Sequence, residues 1–347
     1  MKRKTVAGWA ALLAALLLFV MIGFPTMMVK KQPVRDENGG TAHGGELPAD
    51  KKLARDSAFV VPVYLTKERR VADIPLELYV RGVLAAEMPI DFAPEALKAQ
   101  AIAARTYIVR RAMDHDTSNV PVAGALVTDL ATHQAYMTVD EMRTKWGDAA
   151  FAANLEKLNQ AVQDTEGTIL TFAQKPIVAA YFSTSNGFTE NSEEYWSTYI
   201  PYLRSVASPW DPLISPKYKA TVTMPLTEFL SKLGLPNNPD KQTPPEMEIL
   251  QKTTGQRIKT MRIAGNLFTG REVREKLALN SAQFAWSFAG GNILLTTYGY
   301  GHGVGLSQWG ADALAQQGKS AKDILLYYYR GVKLEQIYAA IGKRRNV

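Results

Sequence analysis

From residue 6 to about residue 29 the chain is almost uninterruptedly apolar, behind the basic cluster Lys2-Arg3-Lys4. That run supplies the roughly 20 residues a helix needs to cross about 30 Å of hydrocarbon. A cleaved export signal would have a shorter apolar core, of about 7–15 residues, ending in a small-x-small site. Here the run continues through Phe19, Val20, Met21, Ile22 and Phe24, and no Ala-x-Ala follows. The pattern predicts an uncleaved anchor. The leading positive cluster orients it with the N-terminus inside and the body outside, although Lys30, Lys31 and Arg35 follow the span. Residues 30–57, with Gly39-Gly40, Gly44-Gly45 and mixed charges but no periodicity, predict a flexible tether. As a coil it would reach about 30 Å from the membrane.

Beyond it, periods of two and 3.6 residues alternate. Residues 59–66 predict a strand, and Pro62 suggests an edge position. Asp73 and Pro75 signal a helix start. On that helix Leu76, Val80, Val83 and Leu84 form the buried stripe, Glu77 and Arg81 pair on the outer face, and Pro89 ends it. A second helix runs from Pro94 to about Met113 with Leu97, Ala101, Ala104 and Ile108 at helical spacing. Its many alanines allow close packing.

A helix follows at 155–165, then strands at 168–172 and 177–183 around a Gln174-Lys175 turn. A strand at 218–223 leads to a helix at 226–233 with Gly234 past its end. Strands at 247–252 and 258–263 and a helix from about Gly270 come next, then a hairpin joining 284–288 to 293–298 through Gly290-Gly291. Helices at 311–317 and 321–329 close the chain, the second capped by Ser320. Strands and helices intermingle without βαβ regularity, so the fold class is α+β. We expect a single mixed α/β domain, of one lobe or two, behind one N-terminal transmembrane helix. Its parts are a cytoplasmic stub and anchor at 1–29, the tether at 30–57, the body at 58–338 and a basic tail at 339–347.

Composition adds bounds. The 347 residues, 46% hydrophobic and 21% charged, suffice for a substantial core. A net charge of +7 favours an anionic partner. The charge is scattered and no nucleic-acid motif accompanies it, so nucleic-acid binding is not expected. The absence of cysteine excludes disulfides, a thiol nucleophile and thiolate metal sites. His43, His115, His133 and His302 lie far apart and show no His-Glu-x-x-His pattern, so no metal and no cofactor is expected.

Candidate chemistry begins at Glu87, which continues the stripe Leu76–Val80–Val83 at the same spacing. A carboxylate there is either a structural acceptor, satisfied by Arg105 or a backbone amide, or an acid desolvated so that its pKa rises. The second helix offers Lys98, Gln100, Arg105 and Tyr107. Of these, Lys98 reads as solvated, while Arg105 and Tyr107 are placed to orient Glu87 or bind sugar hydroxyls. The run Ser183-Thr184-Ser185-Asn186-Gly187, with Thr189 and Glu190 after it, suits carbohydrate binding as well as an ordinary turn. The stretch 298–309 alternates glycine around His302 and ends in Ser307-Gln308-Trp309. It lacks the Gly-Lys-Ser/Thr ending of a phosphate loop, and no Gly-x-Ser-x-Gly elbow is present.

Taken together, the stretches 75–89, 95–107, 182–192 and 299–311 resemble, in order and spacing, the stage II sporulation protein D family, which also includes amidase enhancers of the cell wall. The resemblance implies a peptidoglycan lytic transglycosylase whose catalytic glutamate is Glu87. It also implies a sporulation role in forespore engulfment, beside a partner amidase that strips stem peptides and a further membrane protein. On it, Gln100, Arg105, Tyr107, Ser183, Ser185, Thr189, Glu190, His302 and Gln308 are the expected substrate-binding residues, with Arg105, Ser185 and His302 stabilising the transition state. Some relatives bind zinc through cysteines near the segment matching 129–136. That segment has no cysteine here, so zinc is not carried over. Asn186 and Phe188 also depart from the family's usual Gly and Tyr. The competing reading is a non-catalytic glycan-binding activator of an amidase.

Overall fold

A computed structural model describes residues 48–55, 57–236 and 243–337. The expected anchor, the tether up to residue 47 and the basic tail lie outside the described residues. Among the described residues no helix is long and apolar enough to cross a membrane.

The first elements are α1 (Pro48–Arg55), β1 (Val60–Leu65), β2 (Arg70–Pro75), α2 (Leu76–Glu87), α3 (Pro94–Met113), β3 (Val127–Thr128) and α4 (Val139–Gln163). Next come β4 (Thr168–Phe172), β5 (Lys175–Pro176), β6 (Tyr181–Phe182), α5 (Ser192–Trp196) and α6 (Asp211–Ile214). The middle of the chain forms β7 (Lys219–Pro225), α7 (Leu226–Leu233), β8 (Met247–Lys252), β9 (Ile258–Ile263), β10 (Asn266–Thr269) and α8 (Gly270–Lys276). The last elements are β11 (Phe284–Ala289), β12 (Asn292–Tyr298), β13 (Leu306–Ser307), α9 (Gln308–Gln316), α10 (Ala321–Tyr328) and β14 (Lys333–Gln336). The mixed α/β expectation holds.

Two hydrophobic cores organise these elements. In the first, α2, α3 and α4 pack together under the β2-β1-β3 and β14-β4-β5 sheets, with α9 and α10 against α3. Leu76, Val80, Val83 and Leu84 are all buried there, as the stripe predicts. In the second, the sheets β11-β12-β7 and β10-β9-β8 enclose Phe229, Met261, Val273, Ile293 and Leu295.

The structure corrects several expectations. The end of the expected tether is helical: α1 buries Leu53, and Asp50 forms an ion pair with Arg81. Glu77 and Arg81 do not pair on an outer face. Both are buried, and Glu77 takes Arg105 as its partner across to α3, with Nη2 to Oε2 at 2.6 Å. Pro62 lies on a central strand, β1 being flanked by β2 and β3. Proline is tolerated because β3 pairs only from Val127 onward, so the missing N–H falls before that ladder begins. Helix α4 starts sixteen residues earlier than expected, at a capping box between Thr138 and Glu141, and kinks at Gly147.

Candidate functional site

Helix α2 ends at Glu87, and Met88 beyond it is already extended. The half-buried carboxylate emerges there into a cleft of about 550 Å³. The backbone N–H of Ala135 donates to Oε1 at 2.9 Å, and the Tyr181 hydroxyl and Gln308 side chain lie against the same carboxylate. Burial pushes the Glu87 carboxyl above its usual range, and the Ala135 N–H, with the Tyr181 and Gln308 side chains beside the carboxylate, pulls it partly back. The C-terminal end of a helix is, in addition, the wrong pole of the dipole for a negative charge.

The donors are themselves held. Gln134 Nε2 donates to the Tyr181 oxygen at 3.2 Å, and Gln134 Oε1 accepts from the Tyr79 hydroxyl at 3.2 Å. With its oxygen accepting from Gln134, Tyr181 has its own proton left for Glu87. Burial holds the Tyr79 and Tyr181 phenols well above their ordinary value, so both remain protonated donors. Gln308 opens α9, whose cap is Ser307. The Ser307 hydroxyl accepts from the Gly310 N–H and donates to Asp211. Asp211 also accepts from the Ser185 N–H at 2.6 Å and the Ser208 hydroxyl at 2.7 Å. One buried carboxylate thus locks the 183–187 turn to the start of α9.

His302 is fixed as a neutral ring. Its Nδ1 accepts from the Val304 N–H at 3.0 Å, which leaves the proton on Nε2, facing the Tyr181 carbonyl. Burial and then the charges of Arg274 and Arg257 lower its pKa to about 3. It packs among Phe182, Tyr195 and Trp196, with ring centroids 5.4–5.8 Å away. His302 therefore shapes the wall of the cleft as a neutral ring. Gly305, at φ +82°, lets this loop pass Ala180: a Cβ there would lie 2.1 Å from the Ala180 carbonyl oxygen.

Of the expected site residues, Glu87, Tyr107, Ser183, His302 and Gln308 line the cleft together. Arg105 does not reach it. It is fully buried and forks onto Glu77, with a further bond from Nη1 to the Thr168 carbonyl. Gln100 is also fully buried, its amide without a hydrogen bond among the described residues. Ser185 lies beneath the surface, accepting from the Gly187 N–H. Thr189 bridges to Arg204 and Val206. Glu190 forms a buried pair with Arg257, 3.1 Å apart, at the edge of a neighbouring recess. Arg105 and Ser185 are thus removed as transition-state stabilisers by their own partners.

The wall also includes Tyr181, Tyr195, Trp196 and Arg274, which are not among the expected site residues, and Tyr300, which lies in the glycine-alternating stretch but carries no expected role. Tyr195 and Trp196 share α5, while Tyr181 on β6, Arg274 on α8 and Tyr300 after β12 come from elsewhere in the chain, so the grouping arises only on folding. Among the described residues Glu87 is the one carboxylate lining this cleft.

Comparison with known proteins follows the same segments. A family model described as "Stage II sporulation protein" matches residues 64–172, the span from β1 to β4 that contains Glu87. The stage II sporulation protein D of Bacillus amyloliquefaciens is 45% identical over 340 residues, 96% of this chain and 97% of that protein. Its counterpart in Bacillus subtilis (strain 168) is 43% identical over 347 residues, covering 98% of each. The amidase enhancer of Bacillus subtilis (strain 168) is 30% identical over 305 residues, 74% of this chain and 40% of that protein.

Proposed function

The chain belongs to the stage II sporulation protein D family, and on that premise we propose that it is a peptidoglycan lytic transglycosylase with Glu87 as its acid and base. It cuts glycan strands between MurNAc and GlcNAc and leaves 1,6-anhydro-MurNAc ends. The observation that carries this reading is the solitary carboxylate. An ordinary glycosidase needs two carboxyl groups, about 5–9.5 Å apart, flanking the scissile bond. Glu87 has no such companion among the residues lining the cleft.

A transglycosylase works with one. Protonated Glu87 donates its proton to the glycosidic oxygen as the bond from C1 of MurNAc to that oxygen breaks. The C6 hydroxyl of the same MurNAc then closes on C1 and returns its proton to the Glu87 carboxylate. Atoms and protons balance without water, so no second base is required. The burial that raises the Glu87 carboxyl favours the protonated form the first step needs. Tyr195, Trp196 and Tyr300 offer aromatic faces for sugar rings.

The setting we propose is extracytoplasmic, with the body tethered to the membrane by the apolar run at 6–29, acting at the engulfing membrane during sporulation. A cell-wall amidase is the proposed partner, alongside a further membrane protein. Likeness to an amidase enhancer supports the amidase. It also supports a second reading, a non-catalytic glycan-binding activator. Digestion of peptide-free glycan strands by the full chain and by Glu87→Gln separates the two. Strand cleavage should fall at least about a hundredfold in Glu87→Gln, with strand binding retained. Equal action of both chains on an amidase, with no cleavage by either, would favour the activator.

A further inference from the structure

Arg274 is the only lysine or arginine among the described residues that line the Glu87 cleft. It is delivered by α8, which is anchored in the second core by Val273 and by Leu277 just past its end. Its Nε donates to the Leu279 carbonyl at 3.2 Å, and Nη1 donates to the Tyr195 hydroxyl at 3.3 Å. Both partners are neutral. The acids nearby are engaged elsewhere: Glu275 holds Arg271 at 2.7 Å, and Glu190 holds Arg257. A half-buried guanidinium, fixed by two neutral acceptors and lacking a counterion among the described residues, is a receptor for an anion. Its field already reaches into the cleft, where it helps to keep His302 neutral.

The same side chain lines an adjoining recess of about 400 Å³ with Tyr195, Asn280, Tyr300 and Glu275, whose carboxylate is neutralised by Arg271. The cleft therefore continues past Arg274, with room for a strand longer than the residues at the cut. A glycan of alternating GlcNAc and MurNAc is uncharged except at the lactyl ether of each muramoyl residue. That group is a carboxylate when free and a neutral amide once a peptide is attached. Resting on the glycan-cutting function above, we propose that Arg274 is a carboxylate subsite that reads the free lactyl group of a muramoyl residue. It is a specificity residue, set apart from the proton transfers at Glu87.

Calorimetric titration of the full chain carrying Glu87→Gln, which prevents turnover, tests this with three forms of one GlcNAc–MurNAc oligosaccharide. In the first the lactyl carboxylates are free. In the second they are neutral methylamides, and in the third they are joined to L-alanine, which moves the charge outward. With Arg274 intact, the free acid should bind about tenfold more tightly than either amide, as expected for a charge-assisted pair. Arg274→Gln should erase that preference, so that within the variant the free acid binds no more tightly than the methylamide, and continued methylamide binding reports that the variant is folded. Arg274→Lys should keep part of it. A preference that persists in Arg274→Gln overturns the assignment, as does an alanyl form that binds like the free acid. Binding of no form with Arg274 intact would overturn the glycan function itself and this subsite with it.

Discussion

Burial raises the Glu87 carboxyl, and the direction of that shift fixes how activity responds to pH. The proposed first step needs the protonated acid, so kcat/KM should be lost as pH rises through the Glu87 pKa. The Tyr181 hydroxyl lies against the carboxylate and favours its charged form. Tyr181→Phe removes that hydroxyl and strands Gln134 Nε2, which now donates to the Tyr181 oxygen. The Glu87 pKa should rise further, moving the alkaline limb of the pH–rate profile upward, while kcat falls about tenfold from lost orientation. A limb that stays in place would show that Tyr181 does not tune Glu87. Glu87 was legible in the sequence because a carboxylate interrupts an apolar stripe. Tyr181 and Gln134 were not, since aromatic and amide residues at a strand start and in a loop fit any core. Only the fold brings Gln134 to the Tyr181 hydroxyl and that hydroxyl to Glu87.

Helix α2 connects packing to chemistry. Gly82 faces the 134–137 segment, and a Cβ there would lie 2.1 Å from the Tyr136 ring and 2.9 Å from the Met137 carbonyl oxygen. The Gly82 carbonyl in turn accepts from the Met137 N–H at 3.2 Å. That segment carries Gln134 and the Ala135 N–H that bonds Glu87. In an exposed helix, glycine to alanine would gain about 1 kcal/mol. Here overpacking outweighs that gain, so Gly82→Ala should cost about 1–3 kcal/mol in denaturant unfolding. Strand cleavage should fall as well, through the displaced Ala135 amide. Unchanged stability would mean that the 134–137 segment yields freely.

The Glu77–Arg105 pair ties α2 to α3, and Gly167 adds its N–H to Glu77. Arg105→Ala leaves a buried carboxylate uncompensated and should cost about 3–5 kcal/mol by the same measurement. A loss below about 1 kcal/mol would contradict the structural role assigned to Arg105 in place of sugar binding. Local signals served well here: β8, β9, the β11–β12 hairpin and the Ser320 cap all fall close to where the pattern puts them. The Glu77–Arg81 spacing misled because i,i+4 charges normally mark a solvated face. Burial of that face by α1 and α3 is a long-range outcome. The early start of α4 carried a readable signal, Thr138-x-x-Glu141, masked by the non-helical Gly147 that breaks the apolar period.

For the molecule as a whole, the division of labour follows the two cores. The first supplies Glu87, the groups that lie against its carboxylate and most of the wall. The second delivers Arg274 through α8. A second lobe was left open by the sequence because nothing in its alternating strands distinguishes one core from two, and core membership depends on pairings such as β12 with β7, some seventy residues apart. Arg274 was invisible for the same reason: on α8 it reads as one more basic residue near a helix end. The central claim concerns what is left when the strand is cut. Mass spectrometry of peptide-free glycan strands digested by the full chain decides it. The muramoyl ends should be lighter by one water than a reducing sugar, the 1,6-anhydro form, and should be absent when Glu87→Gln is used. Ordinary reducing ends would contradict the claim, because hydrolysis calls for a second carboxyl group and Glu87 is the one carboxylate lining the cleft among the described residues.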